Sequence, residues 1–280
     1  MNTSSSPEVL RPGPRRPHRV VALCSEGVLE RNTCATLVRA GVNLVGIVWC
    51  TRRGLRVRAR FLRRWATRHG ALHTAGQILG RIYDRARNAR GDARVLGRLV
   101  DETADRAALE GAGVTAIDTD SYSRPDTLAA IGRLDPDILV VHTKFIVGAK
   151  ARMLAPVAVI GGHPGITPWY RGAYSSFWAL LHGRADMVGF TVFLLDDGID
   201  TGPVLFQGRV PIVAGEDSHL TLDWKGIQRQ SALQADAILR LDAGECLPLR
   251  AVGDVPADSY FVLPTLIDFL RYRRRQRLVR

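Results

Sequence analysis

Apolar runs alternate with amphipathic stretches in the first part of the chain. RVVALC (19–24) and VNLVGIVWC (42–50) predict buried strands, and the stretch near 30–39 between them has the spacing of a helix. A strand, a helix and a strand within about thirty residues predict a βαβ unit of a parallel sheet. Further apolar runs follow at VTAI (114–117), DILVV (137–141) and PVAVIGG (156–162). This alternation predicts an α/β fold with a Rossmann-like, doubly wound and mostly parallel sheet.

The region 55–110 interrupts the alternation, because its arginine- and alanine-rich pattern predicts a helical insertion longer than one crossover. After it come a predicted short helix at AYSSFWALL (173–181) and predicted strands at GFTVFLL (189–195) and PVLFQGRVPI (203–212). We expect the second of these strands to pair back on the first. Residues 218–244 then predict one long helix, capped by Ser218 and ended by Gly244.

These elements divide the chain into three parts. Residues 1–18 are polar and proline-rich, which predicts a disordered leader without the apolar core of a secretory signal. Residues 19–212 hold the alternating strands and helices and predict one α/β domain. Residues 213–280 predict a C-terminal extension that consists of the long helix, an irregular stretch and a basic tail.

The chain of 280 residues carries a formal net charge of +12, and almost all of its basic residues are arginines. The excess lies in the leader, in residues 52–98 and in the tail 271–280. Such a surface attracts nucleic acid, anionic lipid or phosphorylated small molecules, but arginines spread over solvated helix faces produce the same composition. Few aromatic side chains interleave these arginines, so we expect no stable complex with nucleic acid.

Hydrophobic residues make up 46% of the chain, yet no apolar run approaches the roughly 18–20 residues that a membrane span needs. The tail LIDFLRYRRRQRLVR suggests a short amphipathic anchor on an anionic membrane. Its apolar residues Phe269, Leu270 and Tyr272 are too few to hold such an anchor firmly, so we expect no membrane partner. Four cysteines without paired or metal-like spacing indicate a reducing compartment, and we expect a cytoplasmic protein.

Two common phosphate-binding motifs do not occur in the sequence. The first predicted strand is followed by CSEGVLERN, which lacks the G-x-G-x-x-G pattern of a dinucleotide site. The pattern G-x-x-x-x-G-K followed by Ser or Thr is also missing. The sheet is therefore expected to be Rossmann-like without a nicotinamide cofactor.

The loop GGHPGITPWYRG (161–172) contains the first candidate catalytic residue. His163 follows the apolar run AVI (158–160), so we expect it at the carboxyl edge of the sheet, where ligands bind in open α/β folds. Pro164 and Pro168 fix φ and stiffen the loop. A histidine held in such a loop is a candidate proton acceptor near neutral pH, and the alternative is a histidine that only satisfies the loop's own hydrogen bonds.

The stretch LLDDGIDTGPVL (194–205) supplies candidate carboxylates. If the strand before it is a neighbour of the strand before His163, Asp200 can reach the imidazole, fix its tautomer and stabilise its charged form. The alternative is ordinary turn chemistry, since Asp-Gly and Asp-Thr-Gly are common in turns. A divalent metal is a weaker hypothesis, because no second histidine or glutamate is suitably placed in the sequence.

The ordered motifs HPGITPWYRG, AYSSFWALLHG and GFTVFLLDDGIDTGPVL resemble the 10-formyltetrahydrofolate-dependent formyltransferase family. That family includes glycinamide ribonucleotide, methionyl-tRNA and sugar-nucleotide N-formyltransferases. The resemblance is strong over residues 156–206 and weaker back to residue 19. It implies the formyltransferase fold, with 19–212 as the formyltransferase-like catalytic domain and 10-formyltetrahydrofolate as formyl donor.

The resemblance also implies residue roles. His163 would transfer the proton and help to stabilise the tetrahedral oxyanion, and Asp200 would orient His163. Arg171 would line the acceptor mouth or, alternatively, cap the loop structurally. The residues implied to cradle the pterin are His142, Thr143, Lys144, Leu195, Asp196, Asp197 and Gly198. The residues implied to contact the acceptor are Pro164, Gly165, Tyr170, Arg171 and Gly172.

Gly161 departs from the family pattern, which has an asparagine two residues before the histidine as a donor to the formyl oxygen. Losing one oxyanion donor costs on the order of 2.7–4 kcal/mol of transition-state stabilisation. Three hypotheses follow: Lys144, Thr143 or a backbone N–H replaces the amide, or the enzyme is slow or performs related acyl chemistry, or the domain only binds folate. We favour a working transferase, because His163, Asp200 and the surrounding motif are retained.

The expected acceptor is a small-molecule amine. HPG at 163–165 and PTLIDFLRYRRR near the end resemble members that modify sugars, which favours an amino sugar on a nucleotide carrier. Methionyl-tRNA is disfavoured, because only some 75 residues follow GPVL and a long helix and a basic tail occupy most of them. Another small amine stays open. A homodimer built through the C-terminal segment would fit the same resemblance.

Overall fold

A computed structural model describes residues 8–52 and 55–278. The strands are β1 (Val9–Leu10), β2 (Val20–Ser25), β3 (Leu44–Cys50), β4 (Thr115–Thr119), β5 (Ile138–His142), β6 (Ala158–His163), β7 (Arg171–Gly172), β8 (Gly189–Leu194), β9 (Val204–Arg209), β10 (Leu247–Pro248) and β11 (Tyr260–Phe261). The helices are α1 (Val28–Arg39), α2 (Leu55–His69), α3 (Ala71–Leu99), α4 (Glu102–Gly111), α5 (Pro125–Arg133), α6 (Ala149–Arg152), α7 (Ser175–Leu181), α8 (His219–Asp242) and α9 (Leu266–Leu278). Short 3₁₀ turns lie at Ala185–Met187 and Ala257–Ser259.

Seven strands form the central sheet in the order β4-β3-β2-β5-β6-β8-β9. β4, β3, β2, β5 and β6 are parallel, whereas β8 runs antiparallel to β6 and β9 runs antiparallel to β8. The predicted α/β class, the mostly parallel sheet and the return pairing of β9 on β8 are therefore confirmed. The strand order reverses between β2 and β5, which places a crevice at their carboxyl ends.

Each face of the sheet is covered by its own apolar core. On one side, α1 and α8 contribute buried side chains such as Leu37 and Ile238 against Val140 and Ile160. On the other side, the second cluster gathers Ile131 of α5 and Ala151 of α6 over the sheet. Burying both faces explains why the central strands read as nearly continuous apolar runs in the sequence.

The C-terminal helix α8 has the predicted ends. Ser218 accepts a hydrogen bond from the backbone N–H of Thr221 (3.2 Å), and Gly244 has a φ of +89° just beyond the helix. Both features follow from the need to satisfy or terminate unpaired backbone groups at helix ends. Side chains of α8 and of the sheet belong to the same apolar core. The domain boundary proposed at residue 212 stays a prediction.

The predicted leader is ordered over the part that the structure describes. Val9–Leu10 pairs antiparallel with Leu247–Pro248, and the buried His18 donates its backbone N–H to Asp242 (2.8 Å). The prediction of disorder is therefore wrong for residues 8–18, while residues 1–7 lie outside the described residues. The proline-rich composition predicts disorder, but Val9 and Leu10 form a strand because they pair with residues that are distant in sequence.

The helical insertion is confirmed as α2, α3 and α4. The stretch that was expected to be irregular before the basic tail ends at α9, which runs from Leu266 into that tail. This helix packs on α3, with Phe269 and Tyr272 buried against Phe177. Two of the three apolar groups considered for a membrane anchor are therefore inside the protein. None of the helices over 8–52 and 55–278 has the length and apolar character needed to cross a membrane.

Candidate active site at the carboxyl edge of the sheet

His163 is the last residue of β6, and its side chain is held from one side. The residue is 4% exposed, and its Nε2 lies 2.8 Å from the carbonyl oxygen of Tyr170 and 2.9 Å from Oγ of Ser175. A carbonyl oxygen can only accept a hydrogen bond, so Nε2 carries a hydrogen and donates it to Tyr170. The other nitrogen, Nδ1, makes neither of these contacts.

Asp200 reaches Nδ1 from the loop between β8 and β9. Its Oδ2 lies 3.5 Å from Nδ1 of His163 and accepts the backbone N–H of Gly172 at 3.2 Å. The residue has a φ of +54°, in the left-handed region that is uncommon for residues other than glycine. Such strained positions cluster at functional sites and persist only where surrounding contacts hold them. The structure thus brings together the two residues singled out as the catalytic pair.

The distance between Nδ1 and Asp200 has a chemical consequence. With the Nε2 hydrogen donated to Tyr170, a neutral imidazole presents a lone pair at Nδ1 to an ionised carboxylate, and two acceptors do not attract each other. One added proton converts the contact into an ion pair. The arrangement is therefore suited to accept one proton from a nearby group and to stabilise it between the ring and the carboxylate.

The aspartates before Asp200 hold their own loop. The Asp196 carboxylate accepts hydrogen bonds from the Thr201 hydroxyl (2.9 Å) and the Gly198 backbone N–H (3.0 Å). Arg152 of α6 donates to the Asp197 carboxylate and to the Asp196 carbonyl oxygen. These contacts match the turn interpretation of this stretch, and their effect is to fix the path that carries Asp200 back to His163. In the described part of the chain, no group of His, Cys, Asp and Glu has the arrangement of a metal site.

Gly161 faces an apolar side chain where the family pattern has an amide. A Cβ built on Gly161 would lie 2.4 Å from Cδ1 of Leu195 and 3.3 Å from Cζ of Phe193. Leu195 therefore occupies the space that a larger side chain at position 161 would need. The two positions are coupled, because a residue with a side chain at 161 requires Leu195 to move.

Of the three residues 142–144 at the end of β5, Thr143 and Lys144 lie at the crevice. The Thr143 hydroxyl lies 3.0 Å from that of Ser25, which also accepts the Lys144 backbone N–H at 3.1 Å. His142 instead faces α8, with Nε2 2.8 Å from Oε1 of Gln234. Burial lowers the pKa of His142, and the hydrogen bond to Gln234 opposes this shift. His142 was predicted to contact the pterin, but its ring already forms a hydrogen bond inside the protein.

The residues predicted to contact the acceptor mostly support the loop. Tyr170 is buried and its ring stacks on Phe261. Arg171 donates Nε–H to the Ser259 hydroxyl (3.1 Å) and Nη1–H to the Ile199 carbonyl (2.9 Å), so its contacts are those of a structural cap. Gly165 and Gly172 allow close packing, since a Cβ at Gly165 would lie 2.5 Å from the Tyr170 carbonyl oxygen. Pro164 follows His163 directly, and its Cα would be 3.7 Å from a Cβ at Gly226 of α8.

Two residues near His163 were missed in the sequence. Ser175 lies in the predicted helix that follows the loop, but nothing in the pattern shows that its hydroxyl reaches Nε2. Asp223 of α8 is buried, and its Oδ1 accepts the backbone N–H of Ser176 at 3.2 Å. Burial raises the pKa of Asp223 to about 6, while the Ser176 hydrogen bonds and the nearby His219 and His163 lower it.

The fold and this geometry define a class: a doubly wound α/β protein with a histidine–aspartate pair at the carboxyl edge of its sheet. The sequence model of the formyl transferase family matches residues 91–237, just over half of the chain. The chain therefore belongs to the formyl transferase family. This confirms the family resemblance and the transferase class.

The relatives agree with this assignment. A methionyl-tRNA formyltransferase of Synechococcus sp. (strain JA-3-3Ab) is 33% identical over 132 residues, which is 45% of this chain and 38% of that protein. A GDP-perosamine N-formyltransferase of Brucella melitensis biotype 1 is 30% identical over 112 residues, 40% of this chain and 42% of that protein. The chain thus spans less than half the length of these relatives.

A solved structure supports the fold. Glycinamide ribonucleotide transformylase 1 from Symbiobacterium toebii superposes with a TM-score of 0.55 at 17% identity, covering 85% of this chain and 96% of that one. At this identity the superposition establishes the shared architecture.

Proposed function

We propose that the chain transfers a formyl group from 10-formyltetrahydrofolate to the amine of a small acceptor, an amino sugar on a nucleotide carrier. The observation that carries this proposal is the His163–Asp200 pair, whose Nδ1 and carboxylate remain available while Nε2 is bonded to Tyr170. Family membership supplies the reaction class. The reaction needs such a pair because transfer of a formyl group to an amine must remove a proton from the amine nitrogen.

The proton path follows from the geometry. As the bond between the acceptor nitrogen and the formyl carbon forms, the nitrogen becomes positively charged and must lose a proton. His163 takes that proton at Nδ1, and Asp200 stabilises the resulting imidazolium. His163 then returns the proton to the donor nitrogen as its bond to the formyl carbon breaks. One proton moves from acceptor to donor, and the pair ends in its starting state.

The segments expected to hold the donor present apolar surface suited to a planar ring. Ile146, after β5, is 85% exposed, and Ile199, beside Asp200, is 51% exposed. Large apolar side chains that are this exposed are typical of a binding surface, here for an apolar or aromatic group of a ligand. The donor supplies the formyl carbon, and we assign its pterin to the loops 143–146 and 195–199, next to the His163–Asp200 pair.

The acceptor class is supported by a relative and by chemistry. The GDP-perosamine N-formyltransferase similarity and the arginine-rich composition favour a phosphorylated small molecule. Methionyl-tRNA is the second candidate acceptor, since the methionyl-tRNA formyltransferase match is longer and slightly more identical than the GDP-perosamine N-formyltransferase match. The two acceptors are distinguished by direct assay.

The test starts with isothermal titration of the protein with 5-formyltetrahydrofolate, a stable analogue of the donor. Turnover with 10-formyltetrahydrofolate is then measured on a panel of nucleotide-linked amino sugars, with methionyl-tRNA as a separate arm. We expect folate binding, transfer to at least one amino sugar and loss of transfer in His163→Ala. The control His73→Ala changes an exposed histidine of α3 and should leave transfer unchanged. Absence of folate binding would exclude the proposal, and transfer to methionyl-tRNA alone would replace the acceptor.

A folate-binding protein without turnover is the second candidate function, and Leu195 over Gly161 is the observation that favours it. If the missing amide limits the reaction, Gly161→Asn combined with Leu195→Ala should raise kcat by roughly a hundredfold to a thousandfold. Gly161→Asn alone should raise kcat less, because its side chain must first displace Leu195. If the unchanged chain turns over and the double variant is no faster, another donor, such as Lys144 or Thr143, already stabilises the oxyanion.

A further inference from the structure

Two backbone groups of one short segment hold both members of the catalytic pair. The carbonyl oxygen of Tyr170 accepts Nε2–H of His163 at 2.8 Å, and the N–H of Gly172 is donated to Asp200 Oδ2 at 3.2 Å. The separation of the imidazole and the carboxylate therefore depends on where residues 170–172 lie. Any shift of this segment moves the two side chains relative to each other.

A stretch from the C-terminal part of the chain holds that segment. Tyr260–Phe261 pairs in parallel with Arg171–Gly172, and the carbonyl oxygen of Phe261 accepts the N–H of Ala173 at 2.9 Å. Gly172 has a φ of +89°, and a Cβ there would lie only 2.3 Å from the Phe261 carbonyl oxygen. The two backbones thus approach each other at a distance that requires glycine.

Side chains strengthen the same contact. The Phe261 ring stacks on Tyr170 (centroids 5.5 Å apart) and on Trp178 (5.3 Å). The Trp178 indole N–H is donated to the Val262 carbonyl oxygen at 3.0 Å. Aromatic pairs in offset stacks stabilise contacts beyond the area they bury. The ring of Phe261 therefore fixes the residue whose carbonyl receives the His163 hydrogen.

Ser259 links the same stretch to the Asp200 loop. Its hydroxyl accepts Nε–H of Arg171 at 3.1 Å, while Nη1–H of Arg171 is donated to the carbonyl oxygen of Ile199, directly before Asp200. One arginine thus spans from the C-terminal stretch to the loop that carries the carboxylate. Both ends of the catalytic pair are connected to residues 259–262.

We infer that residues 259–262, which we name the C-terminal brace, form a positioning element for the reaction: they set the distance between His163 and Asp200 by fixing residues 170–173. The brace lies outside the residues 91–237 that match the family. Its effect on turnover rests on the proposed function, but its effect on the histidine does not. Without the brace, Tyr170 and Gly172 lose their support and the pair is free to separate.

The test compares Phe261→Ala with Phe206→Ala, a partly buried phenylalanine of β9 that contacts the apolar core away from the pair. Phe261→Ala should lower kcat by roughly tenfold to a hundredfold, the range expected when reacting groups are misplaced by about an ångström. Its affinity for 5-formyltetrahydrofolate should stay close to that of the unchanged chain, and Phe261→Tyr should restore turnover. Phe206→Ala should lose stability but retain kcat.

A second readout separates this inference from the proposed function. Nitrogen NMR of isotope-labelled histidine at fixed pH reports the hydrogen bond at Nε2 of His163, with no need for an acceptor. We expect its signal to move in Phe261→Ala and to stay in Phe206→Ala; an unmoved signal would overturn the inference even if no acceptor is found. Should Phe261→Ala fail to fold, Ser259→Ala, which removes the Arg171 contact and the hydroxyl's hydrogen bond to the Pro256 carbonyl oxygen, should move kcat in the same direction by a smaller factor. Equal losses of kcat in Phe261→Ala and Phe206→Ala would also overturn it.

Discussion

Two histidine–aspartate pairs with the same separation have different surroundings in this protein. His163 Nδ1 and Asp200 Oδ2 are 3.5 Å apart, and so are His219 Nε2 and Asp84 Oδ2. The side chains of the first pair are 6% and 20% exposed, against 1% and 5% for the second. Separation alone therefore does not distinguish a candidate catalytic pair from a buried structural one.

The surroundings of the two rings explain the difference. His163 has Nε2 bonded to Tyr170 and Nδ1 directed at a carboxylate that is partly open to solvent. His219 lies among aromatic rings, stacked on Tyr174 and close to Phe177 and Phe269. Apart from the long contact to Asp84, neither nitrogen of His219 has a hydrogen-bond partner in the described ranges. The carboxylate of the first pair is therefore partly exposed to solvent, whereas both members of the second pair are buried.

The largest expected effect separates the two carboxylates. Asp200→Asn should lower kcat by roughly a hundredfold to ten-thousandfold, because an amide cannot stabilise the charged imidazole as a carboxylate does. Asp84→Asn should leave kcat nearly unchanged and alter the free energy of unfolding by about 1–3 kcal/mol, since a buried partner is changed. Steady-state kinetics and urea unfolding of both variants test this. Loss of kcat in Asp84→Asn without loss of stability would contradict the assignment of the two pairs.

Asp223 is a buried carboxyl group near both histidines, and its pH dependence gives a second test of the comparison. Its pKa is raised to about 6, mainly by burial, from an ordinary value of 3.8. Between these values the folded state binds more protons than the unfolded state, so the stabilising contribution is complete below pH 3.8 and is lost as the pH rises to about 6. The loss is on the order of 3 kcal/mol.

The Asp223→Asn variant should lack this part of the pH dependence, while Asp236→Asn, at an exposed position of the same helix, should retain it. The measurement is the free energy of unfolding by urea at several values between pH 4 and pH 6.5. An unchanged slope in Asp223→Asn would show that another group is responsible.

The smallest expected effect concerns the hydroxyl on the closed side of His163. Ser175→Ala removes a contact of 2.9 Å to Nε2 but leaves the Tyr170 carbonyl in place. We expect a loss of about 0.5–1.5 kcal/mol in stability and only a small change in kcat. Thermal unfolding and kinetics measure both. A loss of kcat as large as that of Asp200→Asn would show that Ser175 takes part in the reaction and does not only support His163.

Much of the fold and part of the site could be predicted because they depend on local pattern. Apolar runs such as those at β2, β3 and β5 fix strands buried on both faces, and Ser218 and Gly244 mark the ends of α8. His163 ends β6 and Asp200 follows β8, and these two neighbouring strands bring them together. The order of residues 8–18 was missed, because it depends on pairing with residues far away in the chain.

The sequence by itself determined the fold class, the formyl transferase family and the identity of the His163–Asp200 pair. Only the tertiary structure decided which ring nitrogen of His163 contacts the Tyr170 carbonyl and which faces Asp200, that Leu195 occupies the space beside Gly161, and that Phe261 supports Tyr170. The physical reason is that periodicity and turn chemistry act between near neighbours. Hydrogen bonds to backbone carbonyls and contacts between side chains from distant elements arise only when the chain closes on itself.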